Sequence, residues 1–138
     1  KYHPLCDLGE GGLVRHTKVA CRICEEYFRN DCYNLFNSRK RDLIRMTIIL
    51  HDGLKNGLED TGYTLVEHPL LMAKYIIDNR NLLSISNDEI ATVTRLISTH
   101  MGPWIYDRNG KEILPIPKEY DELFVHNCDY TLSKIKSL

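Results

Sequence analysis

A chain of 138 residues, 43% of them hydrophobic and 27% charged, has the length and balance of one domain with a core of its own. That balance excludes intrinsic disorder, collagen-like repeats and coiled-coil bias. A net charge of −1, from 18 basic and 19 acidic residues, leaves no broad basic field for phosphates, so stable duplex nucleic-acid binding is not expected. The longest basic run, Arg39-Lys40-Arg41, reads as a solvated loop or helix start. No apolar stretch approaches the ~18–20 residues of a membrane helix, no signal peptide is visible, and no membrane partner is expected. Five cysteines, an odd number, argue against a disulfide framework and for a reducing, cytoplasmic setting. Cys21-x-x-Cys24 lies in a helical context without a second such pair, and Cys24 reads as a small apolar residue.

The predicted elements are all helical. Residues 13–29 carry Leu13, Ala20, Ile23 and Tyr27 at helical spacing. Residues 39–52 carry Leu43, Ile44, Thr47, Ile48 and Leu50. Residues 64–78 carry Leu65, Leu71, Met72, Tyr75 and Ile76. A fourth helix over 88–100, with Ser86 and Asn87 as candidate caps, carries Ile90, Val93, Leu96 and Ile97. The last, 118–135, follows Pro115 and Pro117 and carries Leu123, Val125, Leu132 and Ile135. Gly and Asn punctuate the gaps. The longest irregular stretch is 101–117, whose Asp-Arg-Asn-Gly-Lys centre fits a small hairpin. The expectation is an all-α bundle of five to seven helices forming a single domain over 1–138.

Histidine placement is the informative feature. Five of the six histidines fall on the apolar faces of these helices: His16, His51, His68, His100 and His126. A buried ring without a partner costs roughly 1–3 kcal/mol, and several clustered rings are hard to satisfy with hydrogen bonds alone. A metal ion satisfies them together, and bundle cores are where facing helices build such sites. Asp52 follows His51 at the end of an apolar run, where an ionised carboxylate needs a partner or a metal. Lys55 comes four residues after His51 and shares its face if the helix continues. A cation there could contact a phosphate oxygen. Asp129, three residues after His126, also faces inward.

The order His16 … His51-Asp52 … His68 … His100 … Asp129 resembles the HD-domain superfamily of metal-dependent phosphohydrolases. The local wording agrees over Gly11-Gly12-Leu13-Val14-Arg15-His16-Thr17, Ile48-Ile49-Leu50-His51-Asp52-Gly53-Leu54-Lys55 and Glu67-His68-Pro69-Leu70-Leu71. His126-Asn127-Cys128-Asp129 matches the H-x-x-D form of some members. The resemblance runs from about residue 3 to 135. It is especially similar to the HD domain of bacterial exoribonucleases that trim RNA from its 3′ end; the upstream nucleic-acid-binding domain of those enzymes has no counterpart in these 138 residues. In place of the usual H-D-apolar-G-K the chain reads Gly53-Leu54 before Lys55.

The resemblance implies two divalent ions. His16, His51, Asp52 and Asp129 would hold one, and Asp52, His68 and His100 the other, with Asp52 bridging. A mixed imidazole and carboxylate set makes Fe or Mn the first expectation, with Mg, Ni, Co and Zn possible. The implied activity is hydrolysis of a phosphate ester of a nucleotide or short oligonucleotide by a metal-bound hydroxide, with Asp52 and Lys55 catalytic. Lys55, His126 and Trp104 are the candidate substrate contacts, His126 alternatively a donor behind the metal-binding residues, and Trp104 with Tyr106 offering to stack a base or cap the site. Two other outcomes belong to the same fold: a mixed-valent di-iron oxygenase and a non-catalytic nucleotide-binding regulatory domain.

Overall fold

The computed structural model describes residues 9–134 and is all-α. Five helices follow one another: α1 (Gly12–Arg29), α2 (Ser38–Leu50), α3 (His68–Asp78), α4 (Asn87–Ser98) and α5 (Tyr120–Lys134). A single 3₁₀ turn, Arg80–Leu82, links α3 to α4. His3, Cys6 and Ile135, and with them both ends of the family resemblance, lie outside the described residues.

The buried stripe of α1 is Gly12, His16, Ala20, Cys24 and Phe28, one residue every four. This is the expected helix rotated: Leu13 is exposed and Ile23 and Tyr27 are half-buried, because the Phe28 ring stacks on Phe124 and pulls that edge of the helix inward. Asn37 caps α2 by accepting from the Lys40 amide. The basic run Arg39-Lys40-Arg41 starts this helix but is not simply solvated. Arg39 pairs with Glu89, Lys40 with Asp121 and Arg41 with Asp31, stitching the start of α2 to its neighbours.

α2 ends at Leu50, and the chain continues as successive tight turns, Gly53 N–H to Leu50 O, Lys55 N–H to Asp52 O and Gly57 N–H to Leu54 O. Lys55 therefore does not sit on a continued helical face. Gly53 has no room for more: a Cβ there would lie 3.1 Å from Met72 Sδ and 3.2 Å from the Leu50 carbonyl, so glycine lets α3 approach the turn closely. α3 starts at His68 rather than residue 64. Pro69 disfavours helix in the residues before it and suits a first turn.

Ser86 and Glu89 form a reciprocal capping box at the start of α4. Helix α4 stops at Ser98, and His100 lies in the turn beyond it. In α5 the inward residues are Asp121, Glu122, Val125, Cys128 and Leu132, while Leu123 faces water. The carboxylates win the inner positions because Glu122 accepts the amides of Lys118 and Glu119 and Asp121 takes two cations. Segment 101–117 forms the expected small hairpin, closed by a Tyr106–Glu112 bridge and by Asp107, whose carboxylate accepts the Asn109 and Lys111 amides.

Two apolar clusters fill the bundle. One joins α1, α2 and α5 through Ala20, Phe28, Ile44, Ile48, Val125 and Leu132. The other joins α2, α3 and α4 through Leu43, Met72, Ile76, Val93 and Ile97. Cys24 and Cys128 belong to the first as small apolar residues. No helix among the described residues is long and apolar enough to cross a membrane.

Candidate metal centre

The segment following α2, the turn after α4, the first residue of α3, the inner face of α1 and the inner face of α5 converge on one polar spot. Five of its six residues, His16, His51, Asp52, His68 and His100, are fully buried. Each arrives where a helix begins, ends or presents its core stripe, so the donors are set by the backbone frame rather than by mobile loops.

Asp52 is the centre. Its Oδ2 faces His16 Nε2 at 3.5 Å and His51 Nε2 at 3.4 Å. Its Oδ1 faces His68 Nε2 at 3.1 Å and His100 Nε2 at 3.6 Å. Asp129 Oδ1 completes the first side, 2.9 Å from His16 Nε2 and 3.6 Å from His51 Nε2. Two groups that could hold a metal ion result: His16, His51, Asp52 and Asp129, and Asp52, His68 and His100. In each, the donor atoms lie within 4.8 Å of one another.

Three of the rings are oriented in the same way. Nδ1 of His51 donates to the Ile48 carbonyl at 2.7 Å, Nδ1 of His68 to Leu65 at 2.6 Å, and Nδ1 of His100 to Ile97 at 2.7 Å. A carbonyl only accepts, so each Nδ1 carries a proton, and Nε2 is the atom each ring turns toward Asp52, a lone pair whenever the ring is neutral. His68 and His100 then bring two such nitrogens to 3.3 Å. Lone pairs at that separation repel unless a proton or cation lies between them. His51 Nε2 is, among the described residues, the buried side-chain polar atom without a hydrogen bond. A surplus of inward lone pairs around two carboxylates fits a cation better than it fits a hydrogen-bonded core.

The electrostatics follow from this crowding. Burial alone would push the His51 ring down, but the charges of Asp52 and Asp129 and the Ile48 carbonyl outweigh it and hold the ring up at about 9, so without a metal the two carboxylates draw a proton onto the same Nε2 that a cation would take. For Asp52, burial works upward and is overcome by His51, His100, His68 and Lys55, leaving the carboxyl far below its usual range. Asp129 is likewise held low by His16 and His51 against burial. His100 is pushed down, chiefly by burial.

Lys55 reaches the centre from the turns after α2, its Nζ donating to Asp52 Oδ2 at 2.9 Å. His126, expected as a substrate contact or as a donor behind the metal-binding residues, donates from Nδ1 to the His100 carbonyl at 2.9 Å, with its ring against Gly102. Trp104 lies next to it. Tyr106 is exposed in the hairpin. Sequence reasoning missed the three carbonyl acceptors, Gly102 and Tyr130. Only Gly102, in a His-Met-Gly-Pro turn, and Tyr130, one turn past His126, left a trace in the chain. Compared with protein-family models, curated proteins and solved structures, the chain has no match.

Proposed function

We propose that the chain is a metal-dependent phosphohydrolase of the HD-domain kind, acting on a phosphate ester of a nucleotide or short oligonucleotide. The observation that carries this reading is Asp52, whose two carboxylate oxygens serve different donor groups. His16, His51, Asp52 and Asp129 would hold one divalent ion, and Asp52, His68 and His100 a second, with Fe or Mn suited to the mixed donors. When bound, such ions supply an acidified water and positive charge against phosphoryl oxygens.

The chain's own residues supply the rest. The Ile48, Leu65 and Ile97 carbonyls lock the rings so that no reorganisation is needed when substrate arrives. Burial of His16, His51, His68 and His100 keeps bulk water from screening the charges. Lys55, with its side chain 19% exposed, stands between Asp52 and solvent. Its ammonium neutralises charge that builds on non-bridging oxygens.

The test begins with elemental analysis of protein purified without chelator, where two ions per chain are expected. Metal-loaded protein is then offered phosphomonoesters, phosphodiesters and nucleotides. Hydrolysis that vanishes in Asp52→Asn supports the reading. Oxygen consumption without hydrolysis would assign the centre to oxygenase chemistry instead, and binding without turnover would make the domain regulatory.

A further inference from the structure

Beside the donor cluster is a group of aromatic rings that the metal centre does not use. Trp104 and Tyr130 lie nearly parallel, 21° apart with centroids 5.7 Å from one another. His126 packs against both, at 5.8 Å from Trp104 and 5.7 Å from Tyr130. These contacts are held from beneath. The His126 ring is pinned by its bond to the His100 carbonyl and lies flat on Gly102, where a Cβ would fall 2.3 Å from the imidazole. Gly102 also has φ +65°, so that position requires glycine twice over.

Large rings fixed this firmly are normally buried, yet Trp104 is 53% exposed and Tyr130 37%. Lys134 Nζ stands 5.1 Å from the centroid of Tyr130 and shields part of that ring. With Tyr130 against one side of the indole, exposure of this size comes from the opposite face and rim. The result is an exposed π face, which suits a planar ring better than an aliphatic side chain. Its position narrows the ligand further. Tyr130 is the neighbour of Asp129, His126 is one helical turn from Asp129, and Trp104 follows His100 by four residues. The bond from His126 to the His100 carbonyl ties the rings to the donor cluster directly.

We infer that Trp104 and Tyr130, braced by His126, form a stacking shelf for an unpaired nucleobase beside the metal-donor cluster. This deepens the phosphohydrolase reading and rests on it for its purpose, while its test does not require turnover. A shelf of this kind accepts any base by its π face and rejects a paired one, whose faces are already stacked.

Trp104 is the sole tryptophan of the chain, so its fluorescence reports the shelf directly. The intact chain is titrated after chelator treatment with adenosine, adenosine monophosphate and ribose 5-phosphate. Adenosine and its monophosphate are expected to quench the emission saturably, and ribose 5-phosphate to leave it unchanged. Tyr130→Ala should weaken adenosine binding about fivefold or more, and Tyr130→Phe should restore it, separating stacking from loss of fold. In Asp52→Asn the adenosine quench should persist. No quench by adenosine at millimolar concentration, equal quench by ribose 5-phosphate, or loss of the adenosine quench in Asp52→Asn would each overturn the shelf. Quench without hydrolysis of any ester leaves the shelf standing and defeats the phosphohydrolase reading; hydrolysis of nucleotides without quench does the reverse.

Discussion

Two buried carboxylates mark the two ends of α2, and they are satisfied in different ways. Asp121 meets Lys40, in the first turn of α2, at 3.0 Å, and takes a forked pair of bonds from Arg95 at 2.9 and 2.7 Å. Its own helix adds the Glu122 amide at 2.8 Å. Every partner is a permanent donor, so both oxygens are spoken for. Asp52, just past the last turn of α2, has Lys55 as its one permanent cation among the described residues, and four imidazole nitrogens face its two oxygens. Both carboxyls are held below their usual range, so acidity alone does not separate them. What separates them is the partner chemistry. Guanidinium and ammonium close a site, whereas imidazoles locked at Nδ1 leave lone pairs that a cation can take.

The largest expected effect breaks this comparison at Asp52. Asp52→Ala removes an oxygen from each donor group, and metal affinity should fall by well over 100-fold, read by elemental analysis and by calorimetric titration with Mn(II). Retained metal would mean that Asp52 is as closed as Asp121. The counterpart is Asp121→Ala, which strands Arg95 and Lys40. Removing one partner of a buried pair costs up to ~3–5 kcal/mol. Both cations reach solvent, so about 2 kcal/mol of lost stability in urea denaturation is expected, with metal content unchanged.

The same contrast explains what could be read from the chain. Five helices and their order were legible, because 3.6-residue periodicity fixes which side chains face inward; it turned five histidines and Asp129 toward the core, and the family resemblance singled out the six donors. The route by which Lys55 reaches Asp52 was not legible, because helical spacing holds only if the helix continues past Leu50, where turns take over. The rotation of α1 escaped because Phe124, a residue about a hundred positions away, decides which edge is buried. Asp121 and Glu122 gave no inward signal, since a buried carboxylate is recognisable only once Arg95 and Lys40 stand beside it. The carbonyls that orient His51, His68 and His100 depend on ring rotation, which residue identity does not encode.

Acid sharpens the comparison at the closed end. Burial would raise the Asp121 carboxyl, but Arg95 and Lys40 bring it down to about 2. A carboxyl lower in the folded state than its unfolded value near 3.9 stabilises fully above that value, and the contribution is lost as pH falls toward about 2. Between pH 4 and 2 the parent chain should lose on the order of 1–2 kcal/mol more than Asp121→Asn does, read from denaturation midpoints at each pH.

The smallest effect asks whether the donor cluster depends on all of α4 or on its last turn. Ser86→Ala removes the oxygen that accepts the Glu89 amide at 3.1 Å, while Glu89 keeps its bond to the Ser86 amide and its pairing with Arg39. Losing half of a capping box should lower stability by about 1 kcal/mol. His100 hangs from the opposite end of that helix, its ring fixed by the Ile97 carbonyl and its own carbonyl by His126. Fraying at Ser86 should therefore stop within the first turn, and Mn(II) affinity should match that of the parent chain. If affinity falls along with stability, the imidazole is held by the rigidity of the whole helix, and the local bonds to Ile97 and His126 are not enough to keep its lone pair aimed at Asp52.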